Sequence, residues 1–214
     1  MAPTQSTSVS CSGPVRVVLI GHSYVRRLQE YCEHQELHNL GFSRQDAIVQ
    51  AFSRGGATVR FSDNDRWVNC QIQPAVGCRP AIVFLHVGEN DIRHLDTDVL
   101  VDQLWALVQY IRAVAHPRVI VLSQLLWFPA YEDLQHDISL ANHRLQKLVE
   151  QSHPVPGVPH TELQFLRHQY GVWGPNRWSL FAADKVHLNS VGLRKYAFCV
   201  RNAIGSHLRK LQGC

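Results

Sequence analysis

The sequence predicts an α/β fold, a three-layer α/β/α sandwich around a central, mostly parallel five-stranded sheet. Three observations lead there. Short apolar runs alternate with segments of helical periodicity, which is the pattern of βαβ units. One run, "AIVFLHVG" (Ala81 to Gly88), is almost wholly apolar, as a strand covered on both faces must be. The length, 214 residues with 45% hydrophobic content, suits one domain with a sizeable core.

The elements follow in order. Residues 1–14, "MAPTQSTSVSCSGP", are polar and read as a flexible leader, and a single domain is expected over residues 15–214. "VRVVLIG" (Val15 to Gly21) is the first strand and "SYVRRLQEYCEH" (Ser23 to His34) the first helix. "AIVQAFS" (Ala47 to Ser53) is the second strand, and Ala81 to Gly88 the third. In "TDVLVDQLWALVQYIRAVA" (Thr97 to Ala115), Leu100, Leu104, Leu107, Val108 and Ile111 recur at helical spacing. Thr97 is placed as its N-cap and His116-Pro117 as its end. "RVIVLSQLL" (Arg118 to Leu126) is the fourth strand, Leu134 to Gln151 a helix, "TELQFLR" (Thr161 to Arg167) the fifth strand, and Asn189 to Leu211 the last helix. "HPVPGVP" (His153 to Pro159) is a connecting loop.

Composition narrows the function classes. The leader lacks the basic and apolar regions of a secretory signal, and no apolar run nears the roughly 20 residues of a membrane span, so a cytoplasmic location is expected. Net charge is +4, and the arginines are scattered, with Arg26-Arg27 their one adjacent pair. That favours solvated faces over a phosphate-binding patch. Six cysteines without a CxxC pair suit free thiols; Cys70 and Cys78 would bridge a loop only in an oxidising compartment. "HQELH" (His34 to His38) spaces two histidines as a zinc protease does, but the glutamate is at the wrong position and no third ligand is evident. There is no GxGxxG and no P-loop motif, so no metal or cofactor is expected.

In parallel sheets the functional groups gather at the carboxyl ends of the strands. Here those ends carry Gly21-His22-Ser23, Ser53-Arg54-Gly55-Gly56 and Gly88-Glu89-Asn90-Asp91. Ser23 has two readings at this stage: the N-cap of the helix that follows, or a nucleophile at a strand tip. Near the C-terminus, Asp184 and His187 are three residues apart. In a turn, that spacing lets a carboxylate bond Nδ1 of the imidazole and leaves Nε2 for a serine, although turn and capping roles also suit the pair. His86, inside the third strand, is read as a packed core residue, and Asp91 as a brace for its loop. Trp127-Phe128-Pro129 after the fourth strand is placed either in the core or as a wall of an acyl pocket, and "YGVWGPNRWSLFAAD" before Asp184 as a rim over the site.

These blocks resemble the SGNH (GDSL-like) hydrolases. Gly21-His22-Ser23 matches the family's first block, Gly56 in "SRGGATV" the second, Gly88-Glu89-Asn90-Asp91 the third, and Asp184-Lys185-Val186-His187 the last, over nearly the whole chain from Val15. The resemblance implies a flavodoxin-like sheet and a serine esterase acting on a small or medium acyl ester, with an O-acetyl group as one candidate. Ser23 would be the nucleophile, His187 the general base, and Asp184 its orienter. The Ser23 and Gly56 backbone N–H groups and the Asn90 amide would form the oxyanion hole. The family usually has Asp where this chain has His22. The GHS block followed by an arginine pair is similar to esterase domains of mobile-element proteins. This implies an alternative, a binding or assembly module of a larger protein, which would meet nucleic acid only through that parent.

Overall fold

The computed structural model describes residues 13–60, 68–153, 160–168 and 177–213. Residues 1–12 of the expected leader, the proline-rich loop beyond His153, Trp67, and residues 170–176 of the loop containing Trp173 lie outside the described residues.

Five strands form one sheet: β1 (Val15–Gly21), β2 (Ala47–Ser53), β3 (Ile82–His86), β4 (Val119–Ser123) and β5 (Glu162–Leu166). Their order is β2-β1-β3-β4-β5, and every neighbouring pair is parallel. Five helices cover it: α1 (Ser23–His34), α2 (Gln73–Gly77), α3 (Thr97–Ala115), α4 (Gln135–Glu150) and α5 (Ser190–Gln212). The three-layer α/β/α expectation holds.

The strand order explains the layers. The chain steps one way from β1 to β2 and the other way from β3 through β4 to β5. Right-handed crossovers then send α1 to one face and α2, α3 and α4 to the opposite one. α5 returns beside α1, and Tyr196 on it meets Phe84 and His86 on the same side of β3. Burial on both faces accounts for the wholly apolar character of β3 and β4, whose residues are all buried. The order reverses between β1 and β3, where a crevice opens at the carboxyl ends. Gly21 is registered there against both Ser53 and His86.

The differences from the sequence reading are local. β3 and β4 end two or three residues earlier than their apolar runs, because Val87, Leu125 and Leu126 are buried beyond the ladder. α2, with a preceding π-helical turn, has no counterpart in the sequence reading; its five residues are too few for a helical period to register. Thr97 is the first residue of α3, with Asp96 at the cap position. His116, in the left-handed region at φ 46°, ends α3 as placed. The described cysteines Cys32, Cys70, Cys78 and Cys199 are free thiols. No helix among the described residues is long and apolar enough to cross a membrane.

β1 reaches the crevice through a position where only glycine fits. A Cβ on Gly21 would lie 2.3 Å from the His86 carbonyl oxygen and 2.5 Å from Val25 Cγ2. The first obstacle is backbone in a sheet and cannot swing away. Gly21→Ala is therefore expected to cost about 1–3 kcal/mol by overpacking. Urea unfolding measures this, and an unchanged midpoint would contradict the close β1–β3 approach.

Candidate active site

His22 follows β1 directly, and its ring Nδ1 accepts the backbone N–H of Tyr24 at 3.3 Å. It is thus the N-cap of α1. Ser23 is the first helical residue and not the cap, which corrects the simpler of its two readings. Its hydroxyl is left for other partners. Ser23 Oγ lies 3.1 Å from His187 Nε2 and 3.5 Å from His22 Nδ1.

Asp184 and His187 sit on a short hairpin. Phe181 and Leu188 bridge across it, the Ala182 N–H donates to the His187 carbonyl, and Lys185 takes a left-handed φ of 56° to close the turn. His187 Nδ1 is 2.8 Å from Asp184 Oδ2, while Asp184 Oδ1 accepts the Val186 and His187 backbone N–H groups. The His187 backbone N–H, ahead of the His187 ring and the Val186 N–H, holds the Asp184 carboxyl down at about 2, although partial burial opposes this. The carboxylate is therefore charged throughout the neutral range. Tyr24 ties the hairpin to α1, its hydroxyl donating to the Val186 carbonyl at 2.6 Å. Fixing Val186 beside α1 keeps His187 over Ser23.

Gly56 and Asn90 line the same cavity of about 350 Å³ as Ser23, with Phe128 and Tyr131 on its wall. The space where a Gly56 Cβ would project is open, and its φ is +72°. Here the backbone conformation, more than room for a ligand, calls for glycine. The Asn90 amide donates one hydrogen to the Ala57 carbonyl at 2.7 Å and keeps a second. The Asp91 carboxylate accepts the Val59 N–H at 3.0 Å, bracing the second-block loop as expected. Phe128 walls the cavity and Trp127 does not.

Beneath Ser23 lies a buried network. Glu89 Oε2 is 2.6 Å from His22 Nε2, and Oε1 is 2.6 Å from His86 Nε2 and accepts the Leu126 N–H at 2.9 Å. Because Tyr24 N–H donates to His22 Nδ1, the ring proton of His22 sits on Nε2 and points at Glu89. The Tyr196 hydroxyl bonds His86 Nδ1. Burial raises the Glu89 carboxyl, but His86 and His22 together outweigh it and hold the group well below the usual carboxylate range. His86 is fully buried, as expected, and burial lowers its pKa. His168 stacks on His86 and bonds Ser123 Oγ, and burial drives it down to about 3.

His22, His86 and Glu89 have the composition of a metal-ligand group. Their facing N and O atoms are only 2.6 Å apart, whereas two ligands of one tetrahedral ion held at about 2.0–2.1 Å sit near 3.3 Å from each other. The spacing is that of hydrogen bonds. His34 and His38 belong to no such group among the described residues.

The sequence reading placed Ser23, Gly56, Asn90, Asp184 and His187 at one site, and the structure brings all five to one crevice. It missed Glu89, Tyr24, Tyr196 and His168. Of these only Glu89 left a sequence signal: an acid inside the third block, in a chain whose first block lacks its usual one.

The model of the GDSL-like Lipase/Acylhydrolase family matches residues 18–195. Similar solved structures include a putative acylhydrolase from Bacteroides fragilis at 18% identity and TM-score 0.65, covering 94% of this chain and 93% of that one. An acetyl esterase mutant with acetate ion is similar at 16% identity and TM-score 0.64, over 92% of this chain and 99% of the other. A carbohydrate esterase family 3 structure from Talaromyces cellulolyticus is similar at 15% and 0.65, with the same coverage. At these identities the structural likeness is one of fold. No curated protein matches the chain in sequence. The chain belongs to the GDSL-like lipase/acylhydrolase family.

The buried network predicts how stability responds to mutation and pH. Glu89→Gln turns an amide donor towards donors already in place and should cost about 3–5 kcal/mol at neutral pH. His168, with a folded pKa near 3 against an ordinary 6.5, binds fewer protons folded than unfolded between those values, so stability falls as pH drops below about 6.5. The depressed Glu89 carboxyl adds a loss below its ordinary 4.5. Urea midpoints should decline from pH 7 to 4, and less steeply in His168→Gln. A flat profile would contradict the buried, uncharged His168.

Proposed function

We propose that this member of the family is a serine esterase that hydrolyses a small or medium acyl ester through an acyl-enzyme on Ser23. The observation that carries the reading is the continuous chain from Asp184 Oδ2 to His187 Nδ1 at 2.8 Å and from His187 Nε2 to Ser23 Oγ at 3.1 Å.

The chemistry follows from that chain. His187 Nε2 takes the Ser23 proton as Oγ attacks the ester carbonyl, and the charged Asp184 stabilises the imidazolium that forms. The carbonyl oxygen becomes an oxyanion beside the Ser23 N–H at the start of α1, the Gly56 N–H and the second hydrogen of the Asn90 amide. Neither of those backbone N–H groups is taken by a hydrogen bond to another described residue. The positive end of the α1 dipole favours the same charge. His187 then protonates the leaving alcohol. Water, deprotonated by His187, attacks the acyl-Ser23 carbonyl and releases the acid. Each step uses groups of this chain alone. Similarity to an acetyl esterase and a carbohydrate esterase supports an O-acetyl substrate.

The alternative of a binding or assembly module draws on the GHS block with the arginine pair after it, and the leader and basic balance are compatible with it. His22 in that block already has a role inside this domain, capping α1 and bonding Glu89.

Two variants test the proposal with p-nitrophenyl acetate. Ser23→Ala should lower kcat by at least about 10³-fold with the circular dichroism spectrum unchanged. Asn90→Ala should lower kcat about 10²–10³-fold with little effect on KM. Turnover undiminished in Ser23→Ala would defeat the assignment.

A further inference from the structure

The cavity beside Ser23 holds a charge that the acyl-transfer groups do not use. Arg93 stands three residues beyond Asn90, in the turns that follow β3, and lines this cavity. Its guanidinium lies over the Tyr131 ring, 4.1 Å from the centroid. Among the described residues it enters no ion pair. A guanidinium stacked by its face keeps the N–H groups at its edge for another partner, and stacking fixes the plane in which they point.

Among the described residues, the rest of the cavity lining offers no acid free to answer this charge. The one carboxylate among the described lining residues is Glu89, whose side chain is 5% exposed and whose oxygens already accept His22, His86 and the Leu126 N–H. His94, next to Arg93 in the chain, also lines the cavity, and Phe128 and Tyr131 supply apolar wall. The cavity is therefore cationic at one place and aromatic around it, with the nucleophile at its edge.

From this we infer that the site selects esters that carry a second, anionic group, with a carboxylate seated at the edge of the Arg93 guanidinium and the ester carbonyl at Ser23. The inference rests on the esterase reading of Ser23 and deepens it by naming the substrate class. A bidentate guanidinium–carboxylate contact in the cavity both orients the substrate and discriminates against neutral esters.

The test compares 4-acetoxyphenylacetate with its methyl ester, since the methylene insulates the leaving phenol and keeps its acidity nearly matched. In the wild type, kcat/KM for the anionic ester should exceed that for the neutral one about tenfold or more. The ratio should fall to about one in Arg93→Met, mainly through KM for the anionic ester, and recover in part in Arg93→Lys. A wild-type ratio near or below one, or a preference unchanged in Arg93→Met, overturns the proposal. Binding of the products 4-hydroxyphenylacetate and methyl 4-hydroxyphenylacetate, followed by calorimetry, separates this inference from the esterase reading. If neither ester is cleaved, the esterase reading fails, yet tenfold tighter binding of the anion that is lost in Arg93→Met still supports the subsite. Equal binding of the two products overturns it.

Discussion

A single buried carboxylate joins three strand ends. Glu89, just past β3, receives His22 from the end of β1, His86 from the end of β3 itself, and the Leu126 N–H from beyond β4. An ion this deep is costly to desolvate, and it is tolerated because three donors converge on it. Convergence also makes it a geometric constraint. His22 caps α1 through Nδ1 while Glu89 holds Nε2, which favours the tautomer the cap needs at the residue before Ser23. His22 stands between the Glu89 carboxylate and the end of α1, at the position where the family's first block usually has Asp.

The rest of the crevice is arranged around that fixed point. The reversal of strand order between β1 and β3 puts the Ser23 turn and the Asn90 turn side by side. α5 passes under them and contributes Tyr196 to His86, so the helix that follows the His187 hairpin is anchored to the same network. Tyr24 closes the loop from the other direction by holding Val186. Ser23 and the Asp184–His187 pair come from opposite ends of the chain; the 2.8 Å Asp184–His187 contact is made within the hairpin, and the buried bonds bring that hairpin to the 3.1 Å contact with Ser23.

Much of this was legible in the sequence, for identifiable reasons. β1, β2 and α1 were placed to the residue because apolar runs and turn residues bound them sharply. The ends of β3 and β4 were overrun, since residues buried beyond the ladder look like strand in sequence. Ser23, Gly56, Asn90, Asp184 and His187 were found because each lies in a short motif at a strand end or a turn. Glu89, Tyr24, Tyr196 and Arg93 reach His22, Val186, His86 and Tyr131 across 38 to 162 residues of chain, and no local pattern encodes those contacts. His22 shows the boundary best: its departure from the family pattern was visible, whereas its partner became identifiable only from distance and burial.

The esterase reading requires Ser23 to be an activated nucleophile. The most direct measurement is mass spectrometry of the protein after exposure to a fluorophosphonate. One stoichiometric adduct on the peptide containing Ser23 is expected, formed much more slowly in His187→Ala. A protein left unmodified while its fold is intact, or an adduct on a different residue, would contradict it.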